Sequence, residues 1–125
     1  MFKTGCLFFF GLLCISSKTI AQAGPVLPSK KEMAEARIAN AKKAAAIQFQ
    51  YFVIKGVDET YGYSVYADGS LYIQQTTIPA IKGNLGFADT TSAGKVARLV
   101  IAKIKNGDLP PTITIGEMRK LKAIQ

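Results

Sequence analysis

The chain has 125 residues, 16 basic and 8 acidic side chains, no histidine and two cysteines. That length allows one domain, and the lack of histidine removes the commonest general acid-base and metal ligand. The formal charge of +8 points toward anionic lipid, acidic glycan or an acidic protein as partner, with simple solubility as the plainest alternative.

The first stretch, MFKTGCLFFFGLLCISSKTIAQA, reads as a secretory signal peptide over residues 1–23. Lys3 supplies the positive start, Cys6 to Ile15 the apolar run, and Ala21-Gln22-Ala23 the small-residue cleavage pattern. The run is too short to span a bilayer, and Lys18 interrupts any extension. A lipoprotein signal fits poorly, because Leu13 before Cys14 is not small. Cleavage after Ala23 leaves 102 residues, no thiol and no transmembrane segment, in the periplasm or outside the cell. Lys3 and Lys18 depart with it, leaving 14 basic against 8 acidic residues, a net of +6. Nucleic acid is a poor partner for an exported chain.

Residues 24–47 read as a linker and helical arm. Gly24 to Pro28 carries two prolines and is extended. Ser29 and Glu32 make a capping box, and an alanine-rich helix is expected from Lys30 to about Ala46. Its apolar stripe is mostly methyl groups, so it is expected to dock loosely.

Residues 48–125 read as a single α+β domain. QFQYFVIKGV is aromatic and β-branched, with Phe49, Tyr51 and Val53 on one face and Phe52 and Ile54 on the other. Such a strand is expected to be central or covered. A turn at Asp58-Glu59 leads to the strand YGYSVYA. Asp68-Gly69 then signals a hairpin. A three-residue loop of Ala67, Asp68 and Gly69 would pair Val65 with Leu71 and Tyr63 with Ile73. That register gathers the apolar side chains better than an unbulged two-residue loop does, and is therefore expected.

The strand after the turn ends at Gln75, and a twelve-residue connection, TTIPAIKGNLGF, follows. Ala93, Val96, Ala97, Val100, Ile101 and Ile104 next mark the clearest helical face in the chain, with Asp89, Thr90 or Thr91 as cap and Gly107 as terminator. Thr114 and Glu117 form a second capping box, with Ile113 and Met118 as a hydrophobic staple, opening a short helix to about Ala123. The sum is a three-stranded antiparallel β-meander packed on a core helix and a short C-terminal helix, preceded by the alanine-rich arm.

Catalytic candidates are few. Asp58 and Glu59 are adjacent carboxylates, and an atypical enzyme would use them, but a solvated turn is much the plainer explanation. Ser64, Ser70 and Ser92 lack an evident activating base. No cofactor and no metal site is indicated. The long connection is the more informative feature, since long loops in small domains tend to carry function. Candidate contact residues are Gln74, Gln75, Pro79, Gly83, Asn84 and Phe87, with Ile78, Ile81, Leu85 and Phe87 pinning the loop. Lys95, Arg98 and Lys105 form a basic helix face that could meet anionic envelope lipid or glycan. The expectation is an exported, noncatalytic module that binds an envelope protein or glycan through loop 76–87.

Gly62-Tyr63, Gln75, Ile78-Pro79-Ala80, Gly83-Asn84, Phe87, Val96-Ala97 and Pro111 to Thr114 together resemble the small exported bacterial proteins of domain-of-unknown-function family 4907. The likeness runs from Tyr61 to Thr114 and is most specific in the loop. It implies that the loop is a family signature and implies no activity. Members often carry a lipoprotein-type signal, which this chain departs from at Leu13.

Overall fold

The computed structural model describes residues 24 and 26–125, so the expected signal peptide, residues 1–23, lies outside the described residues. The elements run α1 (Lys30–Ala45), β1 (Phe49–Lys55), β2 (Tyr61–Ala67), β3 (Ser70–Gln75), α2 (Thr90–Lys105) and α3 (Ile115–Lys120). The strands form one antiparallel sheet in the order β1-β2-β3. With its three helices this is the expected α+β arrangement. No described helix is long and apolar enough to cross a membrane.

α2 packs its apolar face on β1 and β2. Ala93, Val96, Ala97, Val100 and Ile104 are buried against Tyr63, Val65 and Phe87, with Tyr51, Val53 and Ile73 half-buried at the margin. Asp89 is the cap: its carboxylate accepts from the Ser92 backbone N–H at 2.6 Å and from the Ser92 hydroxyl at 3.1 Å. These bonds lower the Asp89 pKa, the backbone bond most. Gly107, at φ +84, ends the helix in a Schellman motif, with Gly107 N–H to Ile104 O and Asp108 N–H to Lys103 O.

Both capping boxes form. Ser29 and Glu32 exchange bonds at the start of α1, as do Thr114 and Glu117 at the start of α3. Ile113 and Met118 are buried beside the second box. Glu117 also meets Lys103 Nζ at 2.6 Å, which ties α3 to α2. That bond, then those from Thr114, hold the Glu117 carboxyl down at about 2. α3 ends earlier than expected, at Lys120. Lys122 adopts φ 53 and the Ala123 N–H returns to Met118 O, closing the helix without a glycine.

Two strand expectations are corrected. β1 is an edge strand, and among the described residues no helix covers its Phe52 side: Phe52 is 55% exposed. The hairpin is a two-residue turn with a bulge further along, not a three-residue loop. Asp68 (φ 49) and Gly69 (φ 82) are both left-handed, and Ala67 pairs with Ser70 and Tyr66 with Leu71. Tyr72 is then the extra residue, so Val65 pairs with Ile73 and Tyr63 with Gln75. The turn is fixed from outside: Asp68 N–H donates to Gln48 O and Gln48 N–H to the Asp68 carboxylate. The bulge keeps Ile73 facing the core, turns Leu71 out, and brings Tyr72 against Phe49 with ring centroids 6.3 Å apart.

α1 leans on the C-terminal end of α2. Arg37 Nε reaches Asp108 Oδ1 at 3.0 Å and Asn106 O at 3.2 Å, Asn40 donates to Gly107 O, and Ala44 is buried. Gly107 permits this approach, because any Cβ there would fall on the Arg37 carbonyl. Met33 and Ile38 on the same helix stay exposed.

Candidate functional site

The loop after β3 is clamped at both ends. At its entrance the Thr76 backbone crosses three glycines. A Cβ on Gly62 would meet Thr76 Cα at 2.6 Å, one on Gly86 would lie 2.8 Å from Thr76 O, and one on Gly56 would lie 3.1 Å from the same oxygen. Real Cβ atoms essentially never approach as closely as at Gly62 and Gly86, and at Gly56 the neighbour would have to give way. The Gln75 amide donates to the Thr77 carbonyl and hydroxyl, both at 2.9 Å. At its exit Phe87 exchanges both backbone hydrogen bonds with Tyr61, adding a short fourth rung beside β2. Gly86 N–H donates to Thr60 Oγ1, which donates onward to Val57 O.

Between these clamps the Ile78 N–H donates to Leu85 O at 3.0 Å and closes a compact tip. Ala80 (φ 64) and Gly83 (φ 130) take the left-handed conformations its tight course needs. Pro79 is half-buried, and Gly83 and Asn84 are exposed.

The candidate residues therefore divide. Pro79, Gly83 and Asn84 form the accessible tip. Gln75 is a brace for the loop. Gln74 points to the open face of the sheet, paired across from Ser64. Phe87 is fully buried, its ring 6.5 Å from that of Tyr63, so it belongs to the core and no ligand can reach it. Of the four pins expected, Phe87 and Ile78 are packed inward, whereas Ile81 and Leu85 are about half exposed.

Leu85 and Ile78 face a groove of about 740 Å³ whose opposite wall is the segment after α3. Its apolar surface comes from Ile78, Leu85, Ala88, Ala123 and Ile124, and Arg119 and Lys122 stand on its rim. Among the described residues neither cation has a carboxylate within ion-pair distance. Arg119, Lys122 and Ile124 escape sequence reasoning, because only long-range packing sets them opposite the loop. The left-handed turn at Lys122, which redirects the chain into Ile124, has no glycine to announce it.

The expected basic residues all lie on α2. Arg98 stands 6.0 Å from the centroid of the Tyr51 ring, Lys95 is half-buried, and Lys105 lies exposed in the last turn of α2. Asp58 and Glu59 occupy an exposed turn at φ 51 and 56, closed by Thr60 N–H to Val57 O. Ser92 is committed to the Asp89 cap. Among the described residues no three His, Cys, Asp or Glu side chains gather as a metal site would require. Tyr63 is buried, which pushes its hydroxyl up to about 12 and keeps it neutral.

The family model described as Domain of unknown function (DUF4907) matches residues 53–120, which is 68 of the 125 residues, and the chain belongs to that family. The match runs from the middle of β1 to the end of α3 and includes the clamped loop, while α1 lies outside it. No curated protein and no solved structure matches the chain.

Proposed function

We propose that this member of the DUF4907 family is an exported, noncatalytic binding module. Its contact surface is the groove between loop 76–87 and the segment around Arg119 to Ile124. The ligand is an envelope component, most simply a protein, that presents an anionic group beside an apolar one. One observation carries this: an apolar-walled groove of about 740 Å³ rimmed by Arg119 and Lys122, built on the clamped loop. Such a mixture of apolar surface and a few placed polar groups is what ligand sites use. Asp89 and Ser92 also line the groove, but the carboxylate and the hydroxyl are bonded to each other in the cap of α2. Export rests on the pattern of residues 1–23.

Photo-crosslinking tests the reading. A photoreactive phenylalanine analogue at Leu85 or Asn84 is expected to capture a discrete envelope partner, and the same group at Glu35 on the exposed side of α1 is not. Arg119→Glu should weaken capture from Leu85. Capture that survives high salt in part distinguishes this groove from a purely electrostatic surface, whose binding would collapse as charges are screened. Equal labelling from all three positions, or none from the groove, would count against the proposal.

A further inference from the structure

The two edges of the sheet differ. Tyr61 spends its backbone N–H and C=O on Phe87, on the side away from β1. In an antiparallel ladder these directions alternate, so Gly62, Ser64 and Tyr66 point their groups at β1, where Ile54, Phe52 and Gln50 receive them. The intervening residues of β1, Tyr51 and Val53, therefore turn their N–H and C=O outward. No other described segment makes a backbone hydrogen bond to them.

Natural sheets blunt such an edge with bulges, proline, inward charges or brevity. β3 carries a bulge at Tyr72. β1 has seven residues in unbroken register, FQYFVIK, with no proline, no glycine and a single charge at its end. Its outer face is apolar as well: Phe52 packs edge-on against Tyr66 at 5.5 Å, and Leu71, paired with Tyr66, is 52% exposed.

We infer that the β1 edge pairs antiparallel with β1 of a second copy of this chain, about a two-fold axis at Phe52. The strand is self-complementary in that register. Tyr51 meets Val53 of the second copy through the outward backbone groups, and Phe52 meets its own counterpart. Lys55 lies opposite Phe49, which keeps the two lysines apart. No like charges oppose each other, and the two-fold arrangement is closed. Two three-stranded sheets become one, and the Phe52, Tyr66 and Leu71 patches join across it. Residue 52 sits at a non-hydrogen-bonded pair, where Cα atoms approach to about 4.5 Å, within disulfide reach.

The test uses the chain as recovered from its host, with Cys6 and Cys14 replaced by Ser so that any introduced thiol is unique. Phe52→Cys is expected to form a disulfide-linked dimer under mild oxidation, and Lys55→Cys is expected to form no disulfide link, because the two copies of residue 55 lie far apart in this register. Sedimentation of the chain without an added cysteine should show a concentration-dependent dimer. Phe52→Lys should abolish it while leaving the circular dichroism unchanged, since Phe52 is exposed in the single chain. A chain that sediments as a monomer at every concentration, with Phe52→Cys remaining a free thiol, would overturn the inference. So would a dimer that persists in Phe52→Lys.

Discussion

Glu59 shows how a single backbone angle can hold unused stability. At φ 56 it takes a conformation that costs a side-chain-bearing residue about 1–2 kcal/mol, and it forms the second corner of a turn that favours glycine there. Glu59→Gly should therefore raise stability by about 1 kcal/mol after glycine's own entropic cost, read from urea unfolding. Lys122→Gly should act similarly at the end of α3, but with weaker partner capture, because it also removes a rim cation. Gly62→Ala should go the other way and destabilise strongly, since its methyl would press on the Gln75 and Thr76 backbone. The sequence marks Asp58-Glu59 as a turn, because two acids follow a β-branched run. It does not reveal the crowding at Gly62, because the crowding atoms come from thirteen and fourteen residues later.

At the scale of elements, local signals were the legible ones. Both capping boxes, the buried face of α2 and the Gly107 terminator are written within a few residues and appear as expected. The bulge at Tyr72 is not local. It reflects a turn fixed by Gln48 and a core that selects Ile73, and both depend on neighbours brought together by folding. The docking of α1 is hidden for the same reason. Its alanine stripe is weak, and what seats it is Arg37 and Asn40 reaching the chain just past α2. Gly107→Ala should expose this dependence, since the new Cβ would both strain φ +84 and push Arg37 away. Hydrogen exchange should then quicken across α1 before it quickens in the sheet. The groove was half legible: one wall is the loop singled out by its length and composition, and the other is a tail that no spacing connects to it.

Across the whole molecule, charge makes the fold sensitive to acid. Glu117 has its carboxyl lowered from 4.5 to about 2, with its bond to Lys103 the largest cause, and Glu32 and Asp89 are lowered by their caps. A carboxyl held lower in the folded state than in the unfolded one stabilises fully above the unfolded value. That contribution fades as pH falls through the folded value. Stability should therefore decline from about pH 4.5 toward pH 2. Glu117→Gln should be less stable near neutrality and show a flatter decline over that window, measured as urea midpoints across pH.

The clamp around Thr76 also bears on engineering. The three glycines at the entrance and the Tyr61–Phe87 pair at the exit fix the loop independently of what lies between. The Ile78–Leu85 bond then leaves the tip, residues 79–84, as a hoop with anchored ends. A foreign peptide spliced at Lys82-Gly83 would start and finish at fixed points on a rigid frame, with its conformational freedom confined to the added residues. The domain thus offers a display scaffold in which the tip can be randomised while the glycines and Phe87 are held constant.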